Sequence, residues 1–327
     1  MTRPAGASVL VTGGLGFIGV HLCRALLRRD PSARLTIVDD LSSTRMDYAD
    51  LEGRADIHVQ DLRTFASRRG RYDVVYHLAS PVGSLGILER SGRVGRDILD
   101  LAHAAAEIAI ASRADLLYLS SSEVYGRDGR HAEEVPKVVE ERRGTRMEYA
   151  LGKLLAEHVL LNLAAEHSFR VRVCRPFNVI GEGQCARAGF VVPTFFERAL
   201  AGGELPVFGD GAQLRAFCHV EDLVAGVLAV QARGRPDVVY NVGNPAEPVS
   251  IRSLADRIVA LCDSPSAVVA VDPRSLHGPR YLEAYEKIPD ITRVRAETAW
   301  APRVGLDAAL RRVLHHYRSR DGIRRTA

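Results

Sequence analysis

The sequence predicts an α/β protein, a doubly wound parallel sheet with a smaller, interleaved C-terminal domain. Three observations carry this prediction. Short apolar runs alternate with helix-period segments through the first half of the 327-residue chain. A glycine-rich turn, Thr12-Gly13-Gly14-Leu15-Gly16-Phe17-Ile18-Gly19, joins the first run to the first helix. After Pro176 the texture changes, with Gly and Pro punctuating more often.

Ser8 to Val11 is short and apolar, as a strand buried on both faces should be. Phe17 to Arg29 follows with apolar residues at Phe17, Ile18, Leu22, Ala25 and Leu26, a helical period. Leu35 to Val38, Ile57 to Val59, Val74 to His77, Leu116 to Leu119 and Val171 to Cys174 read as further strands. Two long helical stretches, Val94 to Ser112 and Met147 to Glu166, separate the last three. Such alternation builds βαβ units, whose helical crossovers make neighbouring strands parallel. Beyond Pro176 the reading places a helix at Pro193 to Ala201, the turn-rich GGELPVFGDG after it, and a strand at Val238 to Val242. The expected division is a first domain of residues 1–178, to which 211–244 return, and a cap formed by 179–210 and 245–327.

Hydrophobic residues make up 46% of the chain and charged residues 26%, enough for a large core and unlike a disordered or fibrous sequence. The net charge of +4 rests on arginine, because lysine occurs only at Lys137, Lys153 and Lys287. The arginines are scattered along the chain, which argues against a nucleic-acid partner and leaves an anionic small molecule as the ligand class. Five cysteines, an odd number without metal or redox spacing, read as reduced thiols in a cytoplasmic protein with no metal site. No apolar run approaches the length of a membrane span, and none near the start resembles a signal segment, so no membrane partner is expected. His77 on its apolar strand reads as a core histidine, since no second histidine or acid stands at metal spacing to it.

The glycine-rich turn carries the first chemistry. Glycines let the backbone reach positive φ and approach a pyrophosphate, while the following helix N-terminus faces the phosphate charge. Asp39 ends the second strand 20 residues after Gly19, where a carboxylate accepts ribose hydroxyls and repels a 2′-phosphate. Strand, turn, helix and acid together predict a Rossmann-type site for NAD over NADP. Asp61, after the third strand, is placed either at the adenine edge or as a plain loop acid.

The second constellation is Arg146-Met147-Glu148-Tyr149-Ala150-Leu151-Gly152-Lys153. Tyr149 and Lys153 are four apart and share a helix face. An ammonium beside a phenol favours the phenolate, lowering a pKa from about 10 toward a value useful for taking a proton from a hydroxyl. The third is LSSSEVYG, residues 119–126, which sets Ser120, Ser121, Ser122 and Glu123 directly after an apolar strand. It is either a polar strand exit or part of an active site.

TGGLGFIG, YHLAS (76–80), SSSEVYG, YALGK, RPFN (175–178), VFGDGAQLRAF (207–217) and VYNVGN (239–244) occur in one order along nearly the whole chain. In this the chain resembles the extended short-chain dehydrogenase/reductase family of nucleotide-sugar epimerases, dehydratases and decarboxylases. The resemblance implies that Ser121 orients the sugar 4-OH, that Tyr149 is the base, and that Lys153 tunes it and holds the nicotinamide ribose. It implies further cofactor contacts from Gly13, Gly16, Phe17, Ile18, Gly19, Asp39, Asp40, Ser42, Asp61, Leu62, Leu78, Ala79, Ser80 and Pro176. Substrate contacts are implied for Arg146, Asn178, Arg215 and Tyr281, with Arg215 suited to the diphosphate because its planar fork matches phosphate oxygens. A homodimer through a four-helix contact is implied as well.

Within the family, the Ser-Ser-Glu pattern of residues 121–123 resembles both the UDP-glucuronate decarboxylases and the GDP-mannose 4,6-dehydratases; Asp39 and IVDDLSS argue against the latter, which favour NADP, and His77-Leu78-Ala79-Ser80-Pro81 and Arg146 resemble the decarboxylases. The resemblance implies C4 oxidation, loss of CO2 from the β-keto acid, and formation of UDP-xylose or a UDP-4-keto-pentose, with Ser122 and Glu123 acting after oxidation. Lys287 stands where those decarboxylases carry an arginine used in protonation, and the reading assigns it to the catalytic set. A 4,6-dehydratase or 4-epimerase of an NDP-hexose is the rival enzyme, and a non-catalytic NAD-binding regulator the rival of another class.

Overall fold

A computed structural model of the chain describes residues 6–42, 46–66, 70–126, 131–137, 145–277 and 285–325. The first half runs β1 (Ser8–Thr12), α1 (Phe17–Arg29), β2 (Arg34–Asp39), β3 (Asp56–Val59), α2 (Leu62–Phe65), β4 (Val74–His77), α3 (Ser84–Leu88), α4 (Val94–Ser112), β5 (Asp115–Leu119), α5 (Thr145–His167) and β6 (Val171–Pro176). The second runs β7 (Val179–Ile180), α6 (Val191–Leu200), β8 (Leu205–Phe208), β9 (Leu214–Arg215), β10 (Cys218–His219), α7 (Val220–Arg233) and β11 (Val238–Val242). It ends with β12 (Val249–Ser250), α8 (Ile251–Cys262), β13 (Val268–Val271), α9 (Pro273–His277), β14 (Glu286–Lys287), α10 (Thr292–Thr298) and α11 (Leu306–Arg325).

The large sheet has seven parallel strands in the order β11-β6-β5-β4-β1-β2-β3. Every residue of β4 is buried, as a strand covered on both faces requires. One face packs Val9, Val11, Tyr76 and Leu117 against α1, α7 and α10; the other packs Leu10, Val75, Leu116 and Tyr118 against α4 and α5. The α4–α5 contact is close because Gly95 faces Gly152, where an added Cβ would lie 2.9 Å from the Gly95 Cα. Glu148 strengthens it by accepting the backbone amides of Gly92 and Gly95 at 2.8 and 3.1 Å.

A third apolar cluster, with Phe195, Phe196, Leu254, Ile258, Leu310 and Val313, joins α6, α8 and α11 beside the short strands. There β8 pairs with β13, β7 with β10, and β9 lies between β12 and β14. Residues 214–219 therefore pair within these small sheets, and the chain returns to the large sheet through α7 and β11. The α7 start is capped by His219, which accepts the Glu221 amide, and has Glu221 and Asp222 in its first turn, as the helix dipole favours. No helix among the described residues is long and apolar enough to cross a membrane.

Candidate active site

The sheet order turns back between β1 and β4, and a cleft opens at the carboxyl ends of these strands, where α/β folds bind ligands. Gly13, Gly16, Phe17, Ile18, Gly19, Asp39, Asp40, Ser42, Asp61, Leu62, Leu78, Ala79 and Ser80 all line it. Gln60, Arg63, Arg90, Asp97 and Phe190 line it too, although no motif points to them. Gly13 has φ +69°, and a Cβ there would come 2.6 Å from the Ala79 amide nitrogen. A Cβ on Gly19 would strike the Gly13 carbonyl. Only glycine lets the turn lie this low, and α1 begins at Gly16 without a side-chain cap, so its first amides face the cleft as a diphosphate requires.

Asp39 accepts the amides of Leu15 at 3.0 Å and Leu41 at 2.8 Å, tying the glycine turn to β2. Burial raises its pKa while these amides pull it down. An acid in this position, with lone pairs to spare for ribose hydroxyls, fits NAD. Asp61 caps α2 by accepting the Arg63 amide at 2.8 Å and pairs with the Arg63 guanidinium at 2.5 to 3.1 Å. Its place on the cleft wall is thus shared with a structural task. Tyr149, Lys153 and Pro176 are not part of this wall; Pro176 closes β6 opposite Val242.

The stretch after β5 is a short 3₁₀ turn, Ser122–Tyr125, capped by Ser121, whose hydroxyl accepts the Glu123 amide at 3.1 Å. This turn swings Glu123 toward two cations. Lys287 Nζ donates to Glu123 Oε1, and Arg146 Nη2 lies 3.3 Å from the same oxygen. Burial by itself would raise the Glu123 pKa, but Arg146 and Lys287 together hold the carboxyl well below the usual range. Lys287 is 2% exposed; burial lowers its pKa and Glu123 opposes that. Arg215 sits beside Lys287 in the β9–β14 register and donates to the carbonyls of Leu214 at 2.8 Å and Tyr285 at 3.4 Å. Two cations thus pair with one carboxylate, and a third stands beside Lys287. Ser122 is buried next to it.

Tyr149 is 6% exposed, and burial pushes its phenol pKa above the ordinary value, with the hydrogen bond to Ser121 pulling the other way. Lys153 donates to the Leu119 carbonyl at 3.0 Å and lies 5.9 Å from the Tyr149 ring centre. The expected lowering of the Tyr149 pKa by Lys153 is therefore not present in this arrangement: the lysine is turned to the end of β5. Burial brings Lys153 itself down to about 7, against the pull of Glu157.

Asn178, with φ +37°, spends its side-chain NH2 on the carbonyls of Ala216 at 3.0 Å and Lys287 at 3.2 Å. That group fastens the Lys287 strand, so a substrate contact from Asn178 falls to its side-chain oxygen. Tyr281 lies outside the described residues. His77 is 1% exposed, shares a 2.7 Å hydrogen bond with Thr12 and is pushed down to about 3 by burial, a neutral core histidine. Among the described residues no group of acids, histidines or cysteines could hold a metal.

The motif reading missed a buried network under the site. Glu157 accepts from Ser120 and from Arg175 at 2.9 and 2.6 Å; Arg175 donates to the Tyr125 hydroxyl at 2.9 Å, which donates to Asn241 at 2.7 Å. The i+4 step from Lys153 was the available signal for Glu157. Lys137 was missed as well: its ammonium stands 4.4 Å over the Tyr125 ring, and burial lowers it to about 8. Its signal was rarity, for all three lysines of this arginine-rich chain lie at or beside the site.

The model of the NAD dependent epimerase/dehydratase family matches residues 9–243. The chain is 29% identical over 315 residues to the UDP-N-acetyl-alpha-D-glucosaminuronate decarboxylase of Bacillus cytotoxicus, covering 94% of this chain and 97% of that protein. It is 32% identical over 335 residues to the dTDP-4-dehydro-6-deoxy-D-allose reductase of Streptomyces bikiniensis, covering 97% and 99%. Among solved structures, the UDP-glucose 4-epimerase of Thermotoga maritima, determined with UDP-glucose, superposes with a TM-score of 0.83 at 24% identity, covering 96% of this chain and 99% of that one.

Proposed function

The chain belongs to the NAD dependent epimerase/dehydratase family, and from that premise we propose that it decarboxylates a UDP-hexuronate, UDP-glucuronate in the first instance, through a 4-keto sugar. The observation that carries this reading is the charge balance at Glu123: Arg146 and Lys287 pair with one carboxylate, and Arg215 stands next to Lys287. Cationic groups drawn together in a buried site favour an anionic substrate group. A uronate carboxylate supplies one.

NAD, held by the glycine turn and Asp39, supplies the reversible oxidation of sugar C4. The remaining steps belong to the chain. Tyr149, once ionised to the phenolate, takes the proton of the 4-hydroxyl, and Ser121 donates to that oxygen. The resulting ketone is β to the carboxylate, so CO2 leaves as its electrons flow toward C4, and Ser121 with protonated Tyr149 stabilises the enolate oxygen. Glu123, kept anionic by its partners, cannot give a proton at neutral pH. Lys287 is the buried acid that can, and its proton goes to C5 while Glu123 holds the ammonium in place.

A 4,6-dehydratase is the second reading, favoured by the anionic Glu123, which suits a base at C5. Ser122 weighs against it, because a hydroxyl is a poor acid for expelling water. Incubation with UDP-glucuronate, UDP-N-acetylglucosaminuronate and neutral NDP-hexoses separates the readings. CO2 from a uronate, with a product lighter by that mass, is expected. Water loss from a neutral hexose with no CO2 from either uronate would sink the proposal in favour of the dehydratase; no turnover of any sugar would leave a regulator.

A further inference from the structure

Tyr149, Lys153 and Glu157 occupy successive turns on one face of α5. The first two have assigned roles; the third sits in the core at 2% exposure, and its carboxylate is gripped from two sides. Arg175 on β6 meets it with Nε at 2.9 Å and Nη2 at 2.6 Å, a fork against both oxygens, and the Ser120 hydroxyl donates to Oε1. Ser120 follows Leu119, the residue whose carbonyl receives the Lys153 ammonium at 3.0 Å. Carboxylate and ammonium are therefore both fixed to the end of β5, one turn of α5 apart.

We propose that Glu157 is a positioning residue for the oxidation half of the reaction: locked by Arg175 and Ser120, it is the anionic anchor that keeps the Lys153 ammonium charged next to Tyr149. The need for an anchor follows from the surroundings of Lys153. Around it stand the Tyr118 ring of β5 at 4.9 Å, the Tyr149 ring at 5.9 Å and neutral His77 of β4, none of which carries a negative charge. Glu157 is the group that opposes the burial of Lys153. Glu157 also favours the charged form of Lys137, which Arg175 opposes, so Lys137 is the lysine that both members of the pair reach.

The reading rests on Tyr149 and Lys153 as base and tuner, and the test reads Lys153 without substrate or turnover. Three lysines in the chain mean three side-chain signals when lysine alone carries a ¹³C label at Cε, and Lys153→Arg identifies one of them. In the full-length protein, Glu157→Gln keeps the shape of the side chain and removes its charge. Its Lys153 signal should titrate lower by about one pH unit or more, with the Lys287 signal unmoved. Glu157→Asp should restore most of the shift. The Gln and Asp pair at Glu157 decides, and the Lys137 signal, which Glu157 also reaches, is read separately. An unmoved Lys153 midpoint in folded Glu157→Gln overturns the proposal, as does an equal movement of all three signals. Loss of every sugar activity in the parent protein, with the Lys153 shift intact, would instead remove the functional reading and leave the anchor standing.

Discussion

Glu123 faces two cations through one oxygen, and this small geometry divides the chemistry among neighbouring residues. On the proposed mechanism Ser121 and Tyr149 serve the oxygen at C4, while Glu123 and Lys287 serve the proton delivered to C5. Tyr149→Phe should abolish oxidation of the sugar, seen as absence of reduced nicotinamide absorbance in a single turnover. Glu123→Gln should keep that absorbance and slow formation of the C5-protonated product roughly 100-fold, the usual scale for a lost proton-transfer group or its orienter. Equal loss of the first phase in both variants would refute the division. LSSSEVYG pointed to the strand's end as a candidate for chemistry; it could not show that Ser121 also caps a 3₁₀ turn, or that Lys287, 164 residues away, closes on Glu123.

At the scale of elements, two pairs of glycines decide how closely backbones approach. Gly13→Ala puts a side chain at φ +69° and drives a Cβ against Ala79, so NAD affinity measured by calorimetry should fall at least about 10-fold while the far-UV spectrum is kept. Unchanged affinity would show that the turn is not the diphosphate cradle. Gly152→Val wedges α5 away from α4 at Gly95, an overpacking expected to cost about 1–3 kcal/mol in thermal or urea unfolding. The glycine turn was legible because strand, turn, helix and acid are adjacent along the chain. Gly152 was not, because its partner lies on another helix.

At the scale of the whole molecule, buried titratable groups couple stability to pH. His77 has a folded pKa of about 3 against an ordinary value of 6.5, so it is neutral in the core where the unfolded chain binds a proton. Between these values the unfolded state holds more protons, and stability falls as pH falls, by up to ~1.4 kcal/mol per pH unit for one proton. Urea unfolding at pH 6.5 and 5 should show the loss, and His77→Gln, which keeps a polar partner for Thr12, should flatten it. The same scale holds the proposal of a homodimer. Leu151 and Leu155 are 38% and 50% exposed one turn apart on α5, and the glutamate pair Leu151→Glu with Leu155→Glu should convert a dimer to a monomer in sedimentation velocity. A parent protein that sediments as a monomer would end that proposal.

The sequence by itself determined what local periodicity and adjacency encode: the alternating elements, the parallel sheet, the NAD turn with Asp39, and the one helix face shared by Tyr149 and Lys153. The tertiary structure decided what long-range contact encodes: the closure of Lys287 and Arg146 on Glu123, the fastening of Asn178 to the Lys287 strand, the turn of Lys153 to Leu119, and the lock of Arg175 on Glu157. The physical reason is that charge and protonation depend on what a side chain faces in a dry interior, and that neighbour is set by packing, not by spacing along the chain.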